Sequence, residues 1–174
     1  MLPLYDESTP PRPAAASVYG QAKRDAEQTI AALYPAALIA RTSLIYDFDP
    51  ANAQVAWMLR AIERGEPVTL YTDQVRCPIW AWNLARILLE LAEDELSGIM
   101  HAVGPQPLSR YELGCALLDA LGYDSAAHVI PARAPDHLPR RLVLATHRLE
   151  STLRLNTQRT LEEARVLSQR AGRV

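Results

Sequence analysis

The chain has 174 residues, 49% hydrophobic and 22% charged, which is the composition of a globular domain, or a piece of a larger one, rather than of a disordered segment. Eighteen basic against twenty acidic side chains leave a formal charge of −2, so there is no overall drive toward nucleic acid or anionic membrane. No stretch approaches the roughly 18 uninterrupted apolar residues of a membrane span and no basic-then-apolar leader opens the chain, so a soluble, cytoplasmic protein is expected.

Four of the 13 prolines lie among the first 13 residues, which makes residues 1–16 an extended lead-in and neither a central strand nor a helix interior. Ser17 is placed to cap a helix from Val18 to Leu33, closed by Pro35. The run from Ala37 to Tyr46 opens with continuous apolar residues and predicts one buried strand. A turn at residues 47–52 leads to a helix from Ala53 to Glu63, ended at Gly65. Val68 to Tyr71 predicts a strand, Ala81 to Ala92 an apolar helix, and Ile99 to Val103 a strand after Gly98. Ser109 and Glu112 have capping-box spacing at the start of a helix that Gly122 stops. His128 to Ile130 predicts a further strand, with small helices at Arg148 to Leu153 and Leu161 to Ser168. Strands alternating with helices of ten or more residues predict α/β architecture with parallel pairing.

Several chemistries are disfavoured by spacing. Cys77 and Cys115 fit no metal-ligand pattern and no disulfide framework. His128, His137 and His147 are too widely spread for a local metal site, and His101, in a short apolar strand, reads as a core histidine; no metal is expected. No two of the seven glycines are separated by a single residue, so neither a G-x-G-x-x-G turn nor a P-loop is present. From Arg140 onward eight arginines face three acids, but no aromatic follows Tyr123. That end reads as a solvated helical face with one arginine near an anionic ligand, not as a nucleic-acid surface. Trp57, Trp80 and Trp82 pack in the core or line a cleft, and for Trp80 both readings stay open.

Tyr19-Gly-Gln-Ala-Lys23 carries the chemistry best. Residues i and i+4 share a helix face about 6 Å apart, and an ammonium beside a phenol favours the phenolate. Such a pair exchanges a proton with an alcohol or carbonyl. Lys23 is the only lysine, the other 17 basic residues being arginine.

Around this pair, Tyr5-Asp-Glu-Ser-Thr-Pro-Pro-Arg-Pro and Val18-Tyr-Gly-Gln-Ala-Lys-Arg-Asp-Ala-Glu27 resemble the active-site region of extended short-chain dehydrogenases/reductases. Within them the dTDP-4-dehydrorhamnose reductase (RmlD-like) family is the most similar. The resemblance continues through Leu38 to Tyr46, Asp73 to Pro78, Asn83 to Ala85, Gly98 to Gly104 and Leu108 to Leu113. It implies the C-terminal part of a Rossmann-like parallel sheet with helices, plus a small substrate-binding lobe. Residues 17–122 would hold the catalytic helix and sheet, and 123–174 the lobe and basic tail.

By the same resemblance Tyr19 is the catalytic acid and Lys23 binds the nicotinamide ribose. Arg41 and Thr42 border the cofactor; Ser43, Leu44, Arg76 and Trp80 border the sugar. Leu44 stands where the reductases commonly carry a tryptophan, Arg76 replaces a glycine, Ile79 a threonine and Asn83 an aspartate, which marks a diverged member. The family's glycine-rich cofactor loop and catalytic Ser or Thr precede the tyrosine, so this chain corresponds to the portion after them. The implied whole is an NADPH- or NADH-dependent reductase of a 4-keto nucleotide sugar, with a nucleotide-sugar epimerase or dehydratase, or a non-catalytic binding or regulatory relative, as alternatives. This chain alone is expected to bind the dinucleotide weakly and to be inactive, and to pair with a separate N-terminal half or with itself. In the folded chain Tyr19 and Lys23 should face a cleft, and Leu38 to Arg41 should show a bare strand edge beside an apolar patch.

Overall fold

A computed structural model describes residues 4–11, 17–154 and 160–170. Parts of the expected lead-in (1–3 and 12–16) and Arg159 and Arg173 of the basic end lie outside the described residues. The rest of the lead-in is not merely extended: Leu4–Tyr5 form a short strand, β1. Ser17 accepts the Gly20 N–H at 3.1 Å and starts α1 (Val18–Leu33). The single strand expected over 37–46 divides into β2 (Leu38–Arg41) and β3 (Ile45–Tyr46). The division is a change of partner. The Arg41 carbonyl still accepts from Ala102, whereas the Leu44 carbonyl accepts from Ile79.

The chain continues through α2 (Ala53–Glu63), β4 (Val68–Tyr71), β5 (Val75–Arg76), β6 (Ile79–Trp80), α3 (Ala81–Ala92) and β7 (Gly98–His101). Then follow β8 (Leu108–Ser109), α4 (Arg110–Ala120), the single turn α5 (Ser125–His128), β9 (Val129–Ala132), β10 (Val143–Leu144), α6 (His147–Thr152) and α7 (Leu161–Arg170). The expected capping box at α4 is present, with Ser109 Oγ accepting the Glu112 N–H at 3.0 Å and Glu112 accepting the Ser109 N–H at 2.7 Å. Gly122 beyond its end has φ +84°, the left-handed conformation that glycine adopts without strain.

Parallel pairs dominate: β2 with β7, β3 with β6, β4 with β9 and β1 with β10, while β5 and β8 run antiparallel. One core gathers Phe48, Met58, Val68, Leu117 and Leu118 between α2, β4 and α4. A second packs Ile87 and Leu91 of α3 with Met100 of β7 and Leu149 of α6. The segment after β7 passes close against Pro78, just before β6. A Cβ at Gly104 would fall 1.8 Å from the Pro78 carbonyl oxygen, so only glycine fits there.

α1 stands apart from both cores and buries none of its residues. Its Val18, Tyr19, Ile30 and Leu33 are exposed. Among the described residues β2 is hydrogen-bonded on one side only, to β7. The bare edge and the apolar patch expected from the sequence are therefore both present. Parallel strands are ordinarily covered on both faces and paired on both sides.

Candidate active site

Tyr19 and Lys23 lie one turn apart on α1, and Lys23 Nζ sits 5.7 Å from the centroid of the Tyr19 ring. They share a face, as the spacing requires. The face is open, however: Tyr19 is 75% exposed, and Lys23 is exposed as well. The expected cleft is thus not formed within the described residues, because α1 turns its other face, with Arg24 and Glu27, toward the body. Between that inner face, β2 and the lead-in lies a cavity of about 560 Å³, with Glu7, Glu27, Ile39, Arg41, Ile99 and Arg148 on its walls.

Arg41 closes one side of this cavity with a two-pronged ion pair. Its Nε and Nη2 donate to the Glu27 carboxylate at 2.9 and 2.7 Å. The guanidinium is therefore a fastening between α1 and β2. Thr42 follows at the carboxyl end of β2 and is exposed; Ser43 and Leu44 are half-buried. Leu44 also packs on the core that contains Tyr46 and Trp80. Trp80 is 3% exposed, donates its indole N–H to Asp47 at 3.0 Å and stacks on Trp82, with ring centroids 5.3 Å apart. It belongs to the core, one of the two readings that its sequence left open.

Arg76 is half-buried. Its Nη1 donates to the carbonyls of Val75 and Arg140, and its Nη2 to that of Pro139. Arg110, at the start of α4, donates to Gln54 Oε1 at 2.6 Å. Burial, and then the Arg110 charge, hold the Arg76 guanidinium below its ordinary pKa; burial does the same to Arg110. Neither arginine forms an ion pair among the described residues. Two uncompensated positive charges at a half-buried site favour an anionic ligand.

His101 is a core histidine, as expected. It is 1% exposed, with Nδ1 3.2 Å from the Ala145 carbonyl and its backbone N–H donating to Glu7 at 3.1 Å. Burial holds its imidazole below the ordinary pKa. Both cysteines are free, and no metal-binding group of His, Cys, Asp and Glu occurs among the described residues. No helix there is long and apolar enough to cross a membrane. The roles of Glu27, Glu7 and Arg110 were not read from the sequence. Glu27 gave no local signal, because its partner Arg41 lies 14 residues on, in β2.

Parallel strands joined by helices, with a Tyr-x-x-x-Lys helix leading into a strand, define a Rossmann-like α/β protein of the short-chain dehydrogenase/reductase type. The RmlD substrate binding domain matches residues 3–167, and the chain belongs to that family. Among curated relatives, a probable low-salt glycan biosynthesis reductase of Haloferax volcanii is 28% identical over 92% of this chain and 55% of its own length. Methionine adenosyltransferase 2 subunit beta of Danio rerio is 29% identical over 85% of this chain and 49% of its own. The chain thus spans about half the length of these relatives. The crystal structure of dTDP-4-dehydrorhamnose reductase from Bacillus anthracis in complex with NADP superposes with a TM-score of 0.75 at 24% identity, over 93% of this chain and 57% of that one, and shares the fold.

Proposed function

We propose that the chain supplies the catalytic helix and the substrate-binding portion of an NAD(P)H-dependent reductase of a 4-keto nucleotide sugar. The observation that carries this is Lys23 Nζ at 5.7 Å from the Tyr19 ring on an open helix face. Tyr19 donates its phenolic proton to the keto oxygen as that oxygen gains negative charge. Lys23 stabilises the phenolate left behind and offers its remaining N–H donors to ribose hydroxyls. The nicotinamide, when bound, supplies the hydride.

The residues fit one end of such a cofactor. Lys23 is free to meet a ribose and Thr42 lies at a strand's carboxyl end, where ligands of open α/β sheets bind. Nothing in the sequence cradles the pyrophosphate, since no glycine-rich turn is present. The cofactor-binding half would join at the free edge of β2 and the apolar face of α1, from the same polypeptide or a separate one. On the substrate side Arg76 and Arg110 meet the diphosphate, and Ser43 and Leu44 border the sugar.

Calorimetry on the 174-residue chain tests this division. A dTDP-sugar should bind, with the heat lost in Arg76→Ala, while NADPH binds weakly and no turnover is measurable. Tight NADPH binding would overturn the assignment of the cofactor site, and absence of dTDP-sugar binding would overturn the substrate assignment. A regulatory, non-catalytic role is the second reading, supported by the similarity to the Danio rerio subunit. It is favoured if Tyr19→Phe leaves the function of the assembled protein intact.

A further inference from the structure

We propose that residues 133–142 form a clasp that is released when an anionic ligand takes Arg76, an inference that rests on the diphosphate assignment above. The segment leaves β9, crosses back over residues 72–76 and returns at β10. Its ties are almost all polar. Asp73 Oδ1 accepts the Ala134 N–H at 2.7 Å, and Asp73 Oδ2 lies 3.5 Å from both Arg133 Nε and Arg140 Nη1. Val75 donates to the Arg140 carbonyl at 2.6 Å and accepts the Leu142 N–H at 3.0 Å. Arg76 holds the apex, donating Nη2 to the Pro139 carbonyl at 2.7 Å and Nη1 to the Arg140 carbonyl at 3.2 Å.

Besides Arg76, Arg140 is held by the Val75 N–H on its carbonyl and by Asp73 and Asp136 on its guanidinium, whereas the Pro139 carbonyl rests on Arg76. Pro135 and Pro139 have no N–H to donate, and Pro135, Asp136, His137 and Pro139 are exposed. A turn, from the Leu138 N–H to the Pro135 carbonyl at 3.0 Å, and the Arg140–Asp136 ion pair close the apex internally. The carbonyls on Arg76 are neutral acceptors, and a charged oxygen is a stronger one. Arg110 beside it adds to the pull on an anion. A diphosphate oxygen therefore displaces the Pro139 and Arg140 carbonyls from Nη1 and Nη2, and the Pro139 end of the apex is loosened, while the Val75 N–H still holds the Arg140 carbonyl. By reciprocity, the closed clasp weakens anion binding by the same factor.

Amide hydrogen exchange on the full chain, with inorganic pyrophosphate as the probe and calorimetry in parallel, decides the matter. Pyrophosphate should speed exchange at Leu138 and Leu142 several-fold and leave α4 unchanged. Arg76→Ala should speed the same two amides without any ligand and abolish the response. Arg76→Lys, which keeps the charge and loses the fork, should give an intermediate rate and guards against a misfolded alanine variant. If pyrophosphate binds while Leu138 and Leu142 keep or gain protection, the anion uses the remaining Arg76 donors and the clasp is wrong, although the diphosphate assignment survives. If pyrophosphate gives no heat, both fall. Unchanged exchange in both variants also overturns the clasp.

Discussion

Replacing Glu27 by Gln should loosen α1 while leaving the two cores intact. α1 buries no side chain, so it lacks the tertiary packing from which most helical stability in proteins comes. Its docking therefore leans on the Glu27–Arg41 pair. The two side chains are 22% and 17% exposed and joined by two charged hydrogen bonds. A charged hydrogen bond contributes about 1.5–3 kcal/mol when buried and a fully exposed pair about 0–1, so a pair roughly one-fifth exposed is worth about 1–2 kcal/mol. That shifts the local opening equilibrium about 5- to 30-fold. Hydrogen exchange at the amides from Gln21 to Leu33 should accelerate by this factor, with α3 and α4 as internal controls. Exchanging the charges (Glu27→Arg with Arg41→Glu) should restore part of the protection. Unchanged exchange in α1, or equal acceleration in α3, would refute the fastening role.

Three further outcomes are expected. Gly104→Ala drives a methyl into the Pro78 carbonyl and should destabilise by about 1–3 kcal/mol, lowering Tm by about 3–10 °C in a thermal melt; an unchanged Tm would show that the close approach relaxes freely. The Ala134 N–H, aided by Arg140 and Arg133, holds the Asp73 carboxyl below its ordinary 3.8. The stabilisation is therefore complete above that value and is lost as pH falls through the lower folded value, so Asp73→Asn should flatten the acid limb of urea midpoints measured from neutral pH downward. The bare β2 edge and the exposed α1 stripe should make the chain self-associate in sedimentation velocity, and Ile30→Lys with Leu33→Lys should shift it toward monomer. A monodisperse wild-type monomer that unfolds cooperatively contradicts this.

Local signals in the sequence were legible where the determinant is local. The Ser109/Glu112 capping box, the Ser17 cap and the apolar faces of α2 and α3 depend on residues within one or two turns, and those helices lie where the pattern puts them. The strand over 37–46 was misread because its break at Thr42–Leu44 is a change of partner, from β7 to β6, that no residue inside the run announces. β1 was missed for the same reason, as its pairing partner β10 lies far along the chain. The Tyr19 and Lys23 geometry followed from helical spacing alone. Whether that face meets a wall or solvent is a tertiary matter, and so are the ties of Arg41 to Glu27 and of Arg76 to Pro139.

The place of the Arg41 fastening on α1 carries a mechanical consequence. Glu27 is eight residues from Tyr19, an arm of about 12 Å at 1.5 Å per residue. With the anchor at one end and the phenol at the other, a helix tilt of about 5° moves the tyrosine by about 1 Å, and displacements of that size can slow chemistry about a hundredfold. In the reaction proposed above, Tyr19 on such a lever inherits every wobble at its pivot, magnified. Angular stiffness at Arg41, more than the bond strength there, would then govern how often the hydroxyl is in line to deliver its proton.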